Sequence, residues 1–293
     1  MIDWSSLATA LGAQGQGPSP DQRVTPLAGG SINQAFRLEF DSRRFFVKLN
    51  HARHEAMFVA ERRGLEAIRQ SNTIRVPEVY LTGRDDHNAY IVMEYIELDG
   101  ALDRERQARA LAAMHSCLAE RFGFGCNNTI GSSPQPNPPA DDWVDFWRTH
   151  RLGTQLELAR ANALDARLID SGYRLSETLA PLFSSYRPLP SLLHGDLWSG
   201  NQAADRAGNP VIYDPACYYG DHQADLAMME LFDHPGERFF AAYREQFAIA
   251  DGYSQRRDLY NLYHLLNHAN LFGGGYRLQA QQVIDRLLAQ LRA

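Results

Sequence analysis

The chain is expected to be an α+β protein of two lobes, an antiparallel sheet of about five strands with one main helix, then a mostly helical lobe. Three observations lead there. Most of the extended, alternating runs lie in the first third of the chain. Amphipathic helical spacing dominates after about residue 100. A polar stretch through Gly100 follows Glu94-Tyr95-Ile96 and suits a linker, so the expected units are residues 1–96 and 97–293. A chain of 293 residues is long enough for a large core divided in this way.

Residues 4 to 12 suggest a short helix closed by Gly12, and the stretch to Pro20 reads as a flexible lead-in. Gly29, Gly30, Ser31 and Asn33 then lie between two extended runs. Glycines there let the backbone close over a phosphate with its amide N–H groups pointing inward; a plain hairpin turn uses the same residues. The strand Arg44 to Asn50 points Phe45, Val47 and Leu49 one way and Phe46 and Lys48 the other. A helix over about His54 to Gln70 puts Glu61 on its apolar stripe with Phe58, Leu65 and Ile68. A carboxylate on that face needs a cation, and Lys48 is the natural partner. A strand lysine paired with a glutamate on the following helix is one way to hold nucleotide phosphates; a purely structural ion pair has the same appearance. Two more strands, Pro77 to Leu81 and Ala89 to Met93, flank a turn from Gly83 to Asn88. Met93, Glu94 and Ile96 then end the sheet where the linker begins, and backbone groups of Glu94 and Ile96 are candidates for an adenine edge.

In the second part, residues 103 to 120 have helical periodicity, with His115 on the apolar face as a hydrogen-bonded core residue. A long loop runs from Gly123 to Pro139, and Gln135 and Asn137 in it are candidate contacts for a polar ligand. Asp141-Asp142 are placed to cap a helix carrying Trp143, Phe146 and Trp147. Helices are expected at about 149–161, 165–184, 222–232, 235–248, 254–271 and 276–291. His264 and His268 are four apart on one of them. That spacing can bind zinc, but no third ligand is evident, and a core reading is preferred.

The chemistry concentrates in Leu193-His194-Gly195-Asp196-Leu197-Trp198-Ser199-Gly200-Asn201 and in Asp214. Between Asn201 and Asp214, two apolar runs flank a turn with Gly208-Asn209, which reads as a hairpin. A hairpin brings its ends together, so Asn201 and Asp214 should lie side by side with Asp196 close before them. Two oxygen ligands suit magnesium, and a free carboxylate beside them suits the proton of an attacking hydroxyl. Asp225, early in the next helix, either complements the helix dipole or braces the Asp196 loop through backbone N–H groups.

Composition narrows the partners. Hydrophobic residues make up 44% and charged residues 22%, as in ordinary globular chains. Net charge is -6 with no basic run, which disfavours nucleic acid and anionic membranes as partners. No apolar run is long enough to span a bilayer, and no signal-like N-terminus is apparent, so a cytoplasmic location is expected. The three cysteines have neither a disulfide framework nor metal-type spacing. Monomer and homodimer are equally compatible with the sequence.

Together, a glycine turn, a strand lysine, a helix glutamate, a linker and then His-Gly-Asp-x4-Asn with a second Asp resemble the protein kinase-like fold of small-molecule phosphotransferases. More narrowly, the chain resembles the fructosamine kinase family. The matching stretches are Gly29 to Asn33, Leu193 to Asn201 with Trp198, Asp214-Pro215-Ala216 with Tyr219 to His222, Gly131 with Gln135-Pro136-Asn137, and Leu259 through Gly274. The resemblance implies ATP and Mg2+ as cofactors and transfer of phosphate to the sugar O3 of a ketoamine, free or protein-bound, whose product decays to release the amine. By position it implies Lys48 on the phosphates, Glu61 orienting Lys48, Asp196 as base, and Asn201 and Asp214 on magnesium. Trp198 either stacks on the sugar or packs; Gln135 and His268 are the candidate opposite wall. Other acceptors of the same fold, aminoglycosides or choline, remain the alternative. Two departures stand out. Ser31 occupies a position where many members have cysteine, and Leu231-Phe232-Asp233-His234 replaces the family's usual glycines at what is expected to be a helix end.

Overall fold

Alternation of side chains organises the first part of the molecule, for which a computed structural model describes residues 2–12, 22–28 and 32–292 of the chain. The lead-in to Pro20 and the residues Gly29, Gly30 and Ser31 lie outside the described residues. A short helix α1 (Trp4–Ala10) is capped by Asp3, whose carboxylate accepts from Ser5 N and Ser6 N. Strands β1 (Arg23–Leu27), β2 (Gln34–Phe40) and β3 (Arg43–His51) follow, then helix α2 (Glu55–Ser71) and strands β4 (Val79–Arg84) and β5 (Asn88–Glu94). The five strands form one antiparallel sheet in the order β1-β2-β3-β5-β4. Asp41 and Ser42, both at positive φ, make the two-residue turn from β2 to β3. The outward set of β3, Phe45, Val47 and Leu49, packs with Leu7 and Ala8 of α1, Leu38 and Phe40. Phe46 and Lys48 face the other way, toward α2, as the alternation requires.

The second part continues with α3 (Arg104–His115), a small hairpin β6 (Asn128–Ile130) and β7 (Ser133–Gln135), and helices α4 (Trp143–Trp147), α5 (Thr154–Ala161) and α6 (Ala166–Ser176). Short strands β8 (Ser191–Leu193), β9 (Gln202–Ala204), β10 (Pro210–Ile212) and β11 (Tyr218–Gly220) lead into helices α7 (Gln223–Phe232), α8 (Glu237–Arg244), α9 (Tyr253–Phe272) and α10 (Tyr276–Gln290). The fold is thus mixed α and β, a five-stranded sheet followed by a mostly helical part. No described helix is long and apolar enough to cross a membrane.

Three elements differ from the sequence expectation. Helix α3 stops at His115 rather than near residue 120, because residues 117–119 pair instead with the segment before and in β8 (Leu192 N to Cys117 O, 2.9 Å; Ala119 N to Pro190 O, 2.9 Å). The helix expected over 165–184 ends at Ser176, and only a 3-10 turn (Ala180–Phe183) follows; Pro181 has no N–H to continue an α-helix. The loop from Gly123 contains the β6–β7 hairpin.

The apolar interior is continuous across residue 96. Phe58, Leu65 and Ile68 of α2 and Ile91 and Met93 of β5 share one cluster with Leu111, Ala112, Leu226, Phe239 and Tyr243. Arg75 adds a polar tie. It bonds Glu94 at the end of β5 (2.6 Å) and Asp205 in the β9–β10 turn, so the sheet end and that hairpin are fastened together.

Candidate active site

Strand alternation and helix periodicity meet at Lys48. Its Nζ donates to Glu61 Oε1 of α2 and to Asp214 Oδ1 just beyond β10, each at 2.6 Å. Burial works against the lysine's charge, but Asp214 and Glu61 outweigh it and hold the pKa above the ordinary lysine value. The expected Lys48–Glu61 pair is therefore present, and it extends to the second aspartate of the catalytic stretch.

The hairpin expected between Asn201 and Asp214 is β9 paired antiparallel with β10, Gln202 opposite Ile212. Tyr213 N donates to Asn201 O at 3.1 Å, which sets the two ends side by side. Asp214 itself sits at φ +60°, an uncommon conformation for a residue other than glycine. Asn201 Nδ2 donates to Asp196 O (2.8 Å) and Oδ2 (3.2 Å). Its Oδ1 takes no hydrogen bond from a described residue and is left for a ligand.

Asp196 is held from behind. Asp225 on α7 accepts from His194 N (2.7 Å) and Gly195 N (2.8 Å), and it also bonds His115 Nε2 (3.2 Å). Of the two roles considered for Asp225, the structure shows the brace. His194 completes it: Nε2 bonds the Tyr213 carbonyl at 2.9 Å and Nδ1 accepts from Asp196 N at 3.2 Å. A carbonyl only accepts, so the ring proton is on Nε2. Burial lowers the pKa of His194 and keeps it neutral, so it joins the Asp196 loop to the Asp214 side as a fixed tautomer. At Asp196, burial and the nearby Asp214 push the carboxyl pKa up to about 7, against the hydrogen bond from Asn201.

Gly195 has φ +82°, and a Cβ there would stand 2.1 Å from Ala216 O. Left-handed strain alone costs on the order of 1–3 kcal/mol, and a backbone clash adds to it. Gly195→Ala is expected to lower the melting temperature and abolish most turnover; a variant with normal melting and kcat would show that the turn can shift freely.

These groups open on a cavity of about 1040 Å³. One end is lined by Asn33, Phe46, Lys48, Met57, Glu61, Met93, Glu94 and Ile96, the other by Trp198, Phe232, His268, Phe272 and Tyr276, with Asp196, Asn201 and Asp214 also on the lining. At the linker, Glu94 N is already bonded to Glu78 O (2.8 Å). Only the Glu94 carbonyl can contribute to an adenine edge, whereas Ile96 N–H has no partner among the described residues. Trp198 lies over Gly200, where a Cβ would come within 2.2 Å of the indole. One face of the ring is thus set against backbone.

Gln135 is placed otherwise than expected. It is buried off the cavity, with Nε2 on Asn128 Oδ1 (2.8 Å) and Ala216 O (3.0 Å) and Oε1 taken by Tyr263 OH (2.7 Å). Its amide is used up in anchoring the β6–β7 hairpin, leaving nothing for a substrate. Asn137 is likewise buried, with Arg151 Nη2 on its Oδ1 at 2.7 Å. The Leu231-to-His234 departure lies at a helix end as expected, since Phe232 closes α7, but it bears on the site more than expected, because Phe232 also lines the cavity. The sequence reading also assigned no part to His194, Phe272 or Tyr276. His194 was signalled by its place in His-Gly-Asp, and Phe272 lies in the family-like stretch Leu259 to Gly274; Tyr276 stands outside both.

For a magnesium ion, the Asn201 amide oxygen and the Asp214 carboxylate are hard oxygen donors of the right kind, side by side. No group of three or more His, Cys, Asp or Glu side chains among the described residues could hold a metal, and this includes His264 and His268. The donor set fits an ion that takes part of its shell from nucleotide phosphates.

Comparison with known proteins agrees with this geometry. A profile of the fructosamine kinase family matches residues 3–290. The chain is similar to a chloroplastic protein-ribulosamine 3-kinase of Arabidopsis thaliana, 44% identical over 275 residues, covering 92% of this chain and 84% of the relative. Among solved structures, a provisionally named fructosamine-3-kinase from Haemophilus somnus superposes with a TM-score of 0.85 at 26% identity, covering 97% of this chain and 96% of that one. A choline kinase from Streptococcus pneumoniae shares the fold at 17% identity, with a TM-score of 0.67 and 98% of each chain covered. The match along nearly its whole length shows that the chain belongs to the fructosamine kinase family.

Proposed function

We propose that the protein is an ATP-dependent ketoamine kinase that transfers the γ-phosphoryl group to the sugar O3 of a fructosamine or ribulosamine. Lys48, held by Glu61, binds the nucleotide phosphates. Met93, the Glu94 carbonyl and Ile96 N–H receive the adenine, and Asn33, with Gly29, Gly30 and Ser31 before it in the chain, binds the phosphates. Asn201 and Asp214 hold Mg2+, which supplies charge neutralisation at the phosphates. Asp196 accepts the proton of the attacking hydroxyl as the new P–O bond forms and ADP departs.

The observation that carries the acceptor assignment is the character of the far end of the cavity. Its rings, Trp198, Phe232, Phe272 and Tyr276, come, among the described residues, with no acidic lining side chain beyond Asp196 and Asp214; the other lining acids, Glu61 and Glu94, belong to the nucleotide end. A polycationic aminoglycoside finds no set of counterions there, whereas Trp198 presents a flat face to a sugar ring. Choline is the second reading, since aromatic rings also suit a quaternary ammonium. Incubation with ATP, Mg2+ and a fructosamine or ribulosamine should yield the sugar 3-phosphate by phosphorus NMR. Transfer to choline or an aminoglycoside with none to any ketoamine would overturn the assignment.

The base also sets a pH dependence. Asp196 works only when deprotonated, and burial with the Asp214 charge puts its pKa at about 7. Accordingly kcat/KM should rise with pH to a plateau above about 7 and fall up to tenfold per pH unit below it. With metal-nucleotide bound, a cation beside Asp214 offsets the like charge, so the midpoint for kcat should lie lower than that for kcat/KM. A flat profile from pH 6 to 8 would contradict the assignment of Asp196.

A further inference from the structure

The acceptor end of the cavity has a wall that the chemistry at Asp196 does not use. Phe232 ends α7, Phe272 ends α9 and Tyr276 begins α10. All three rings converge on His268, with centroids 5.3, 5.7 and 4.9 Å from the imidazole. Phe232 also meets Trp198 edge-on at 6.5 Å, which joins this wall to the catalytic loop. Phe232 and Phe272 are 42% and 53% exposed and line the cavity. Rings left that open beside a polar catalytic centre gain from being covered by an apolar group.

His268 brings a defined polar group into this wall. Its Nδ1 bonds the His264 carbonyl at 2.8 Å. A carbonyl only accepts, so Nδ1 carries the proton and Nε2 is a bare acceptor. Nε2 has no hydrogen-bond partner among the described residues. Burial lowers the pKa of His268, so the ring is neutral at pH 7 and does not repel a cation.

The acceptor chemistry says what this wall meets. In a ketoamine the nitrogen sits on C1, two carbons from the C3 hydroxyl that must face Asp196. It is a secondary ammonium at neutral pH, and its substituent extends away from the sugar. We propose that the wall recognises the amine side of the ketoamine: His268 Nε2 accepts a hydrogen bond from the ammonium, and Phe232 and Phe272 hold an apolar or aromatic substituent on the nitrogen. The inference rests on the ketoamine assignment above and adds the class of amine.

Two ketoamines of the same sugar, one from methylamine and one from benzylamine, separate the contributions. Wild-type kcat/KM should favour the benzylamine derivative by about tenfold or more, mainly through KM, as burial of a phenyl group requires. Phe232→Ala and Phe272→Ala should each shrink that ratio to within about threefold with melting temperatures near wild type, since both rings are substantially exposed. His268→Leu should raise KM for both compounds by about tenfold, and His268→Gln, which keeps an acceptor, should recover most of it. An unchanged ratio in both phenylalanine variants, equal kcat/KM for the two compounds in the wild type, or a wild-type KM in His268→Leu would overturn the inference. If no ketoamine is phosphorylated at all while another acceptor is, the ketoamine assignment itself fails; ketoamine turnover that ignores the amine substituent refutes this inference alone.

Discussion

Asp196→Asn should lower kcat by roughly 10²–10⁴, the usual worth of a positioned general base, while leaving nucleotide binding close to wild type. The substitution is nearly isosteric. An asparagine oxygen can still accept from Asn201 Nδ2, which now lies 3.2 Å from Asp196 Oδ2. What is lost is the ability to take a proton. The same change has an opposite effect on stability. The Asp196 pKa is raised to about 7, above its ordinary value of 3.8, chiefly by burial and then by Asp214. Between those values the folded protein holds a proton that the unfolded chain has released, so wild-type stability falls as pH rises across that window. The asparagine variant has no such charge to bury. At pH 8 it should therefore melt no lower than the wild type although it is nearly inactive. Isothermal titration with nucleotide, single-turnover kinetics and thermal melting check the three parts. A variant retaining kcat within threefold would remove Asp196 from the base role.

Asp225→Ala should be among the most destabilising single substitutions in the chain, at about 3–5 kcal/mol, the scale for removing one partner of a buried charged network. Asp225 is buried, as are the groups that depend on it: His115, His194 and the N–H of Gly195. Burial raises its pKa, but the hydrogen bonds it accepts, from the His115 ring first and then from the backbone at Gly195, bring the net value below the ordinary one. Truncation leaves two backbone donors and an imidazole without their acceptor, and nothing apolar replaces the bonds. Asp225→Asn keeps one acceptor oxygen, so its loss should be intermediate. Turnover should fall with stability in both variants, because the loop that aims Asp196 is released. Urea unfolding measures the cost; a loss below about 1 kcal/mol for Asp225→Ala would mean that the loop holds its shape without the brace.

The parts of this site that were legible beforehand are those governed by spacing along the chain. Lys48 faces α2 because a strand alternates, and Glu61 meets it because a helix repeats every 3.6 residues. Asn201 and Asp214 come together because a hairpin closes on itself. The break before Pro181 was equally local, and the proline was the available sign. Other features had no such sign. Gln135 looked like a free polar residue in a loop, yet a small hairpin folds it against Ala216 and Tyr263, whose groups consume its amide. Residues 117–119 left the helical pattern of α3 because β8 offered them strand partners.

The division follows the range of the forces involved. Backbone geometry, capping and the burial of one face act over a few residues, so the order of residues was enough to give the sheet, α2, the Lys48–Glu61 pair and the hairpin between Asn201 and Asp214. The acceptor wall depends on where the ends of α7, α9 and α10 come to rest against the catalytic loop. That is set by packing among elements distant in the chain: the family resemblance pointed to Trp198 and His268, but only the packing brings Phe232, Phe272 and Tyr276 around them.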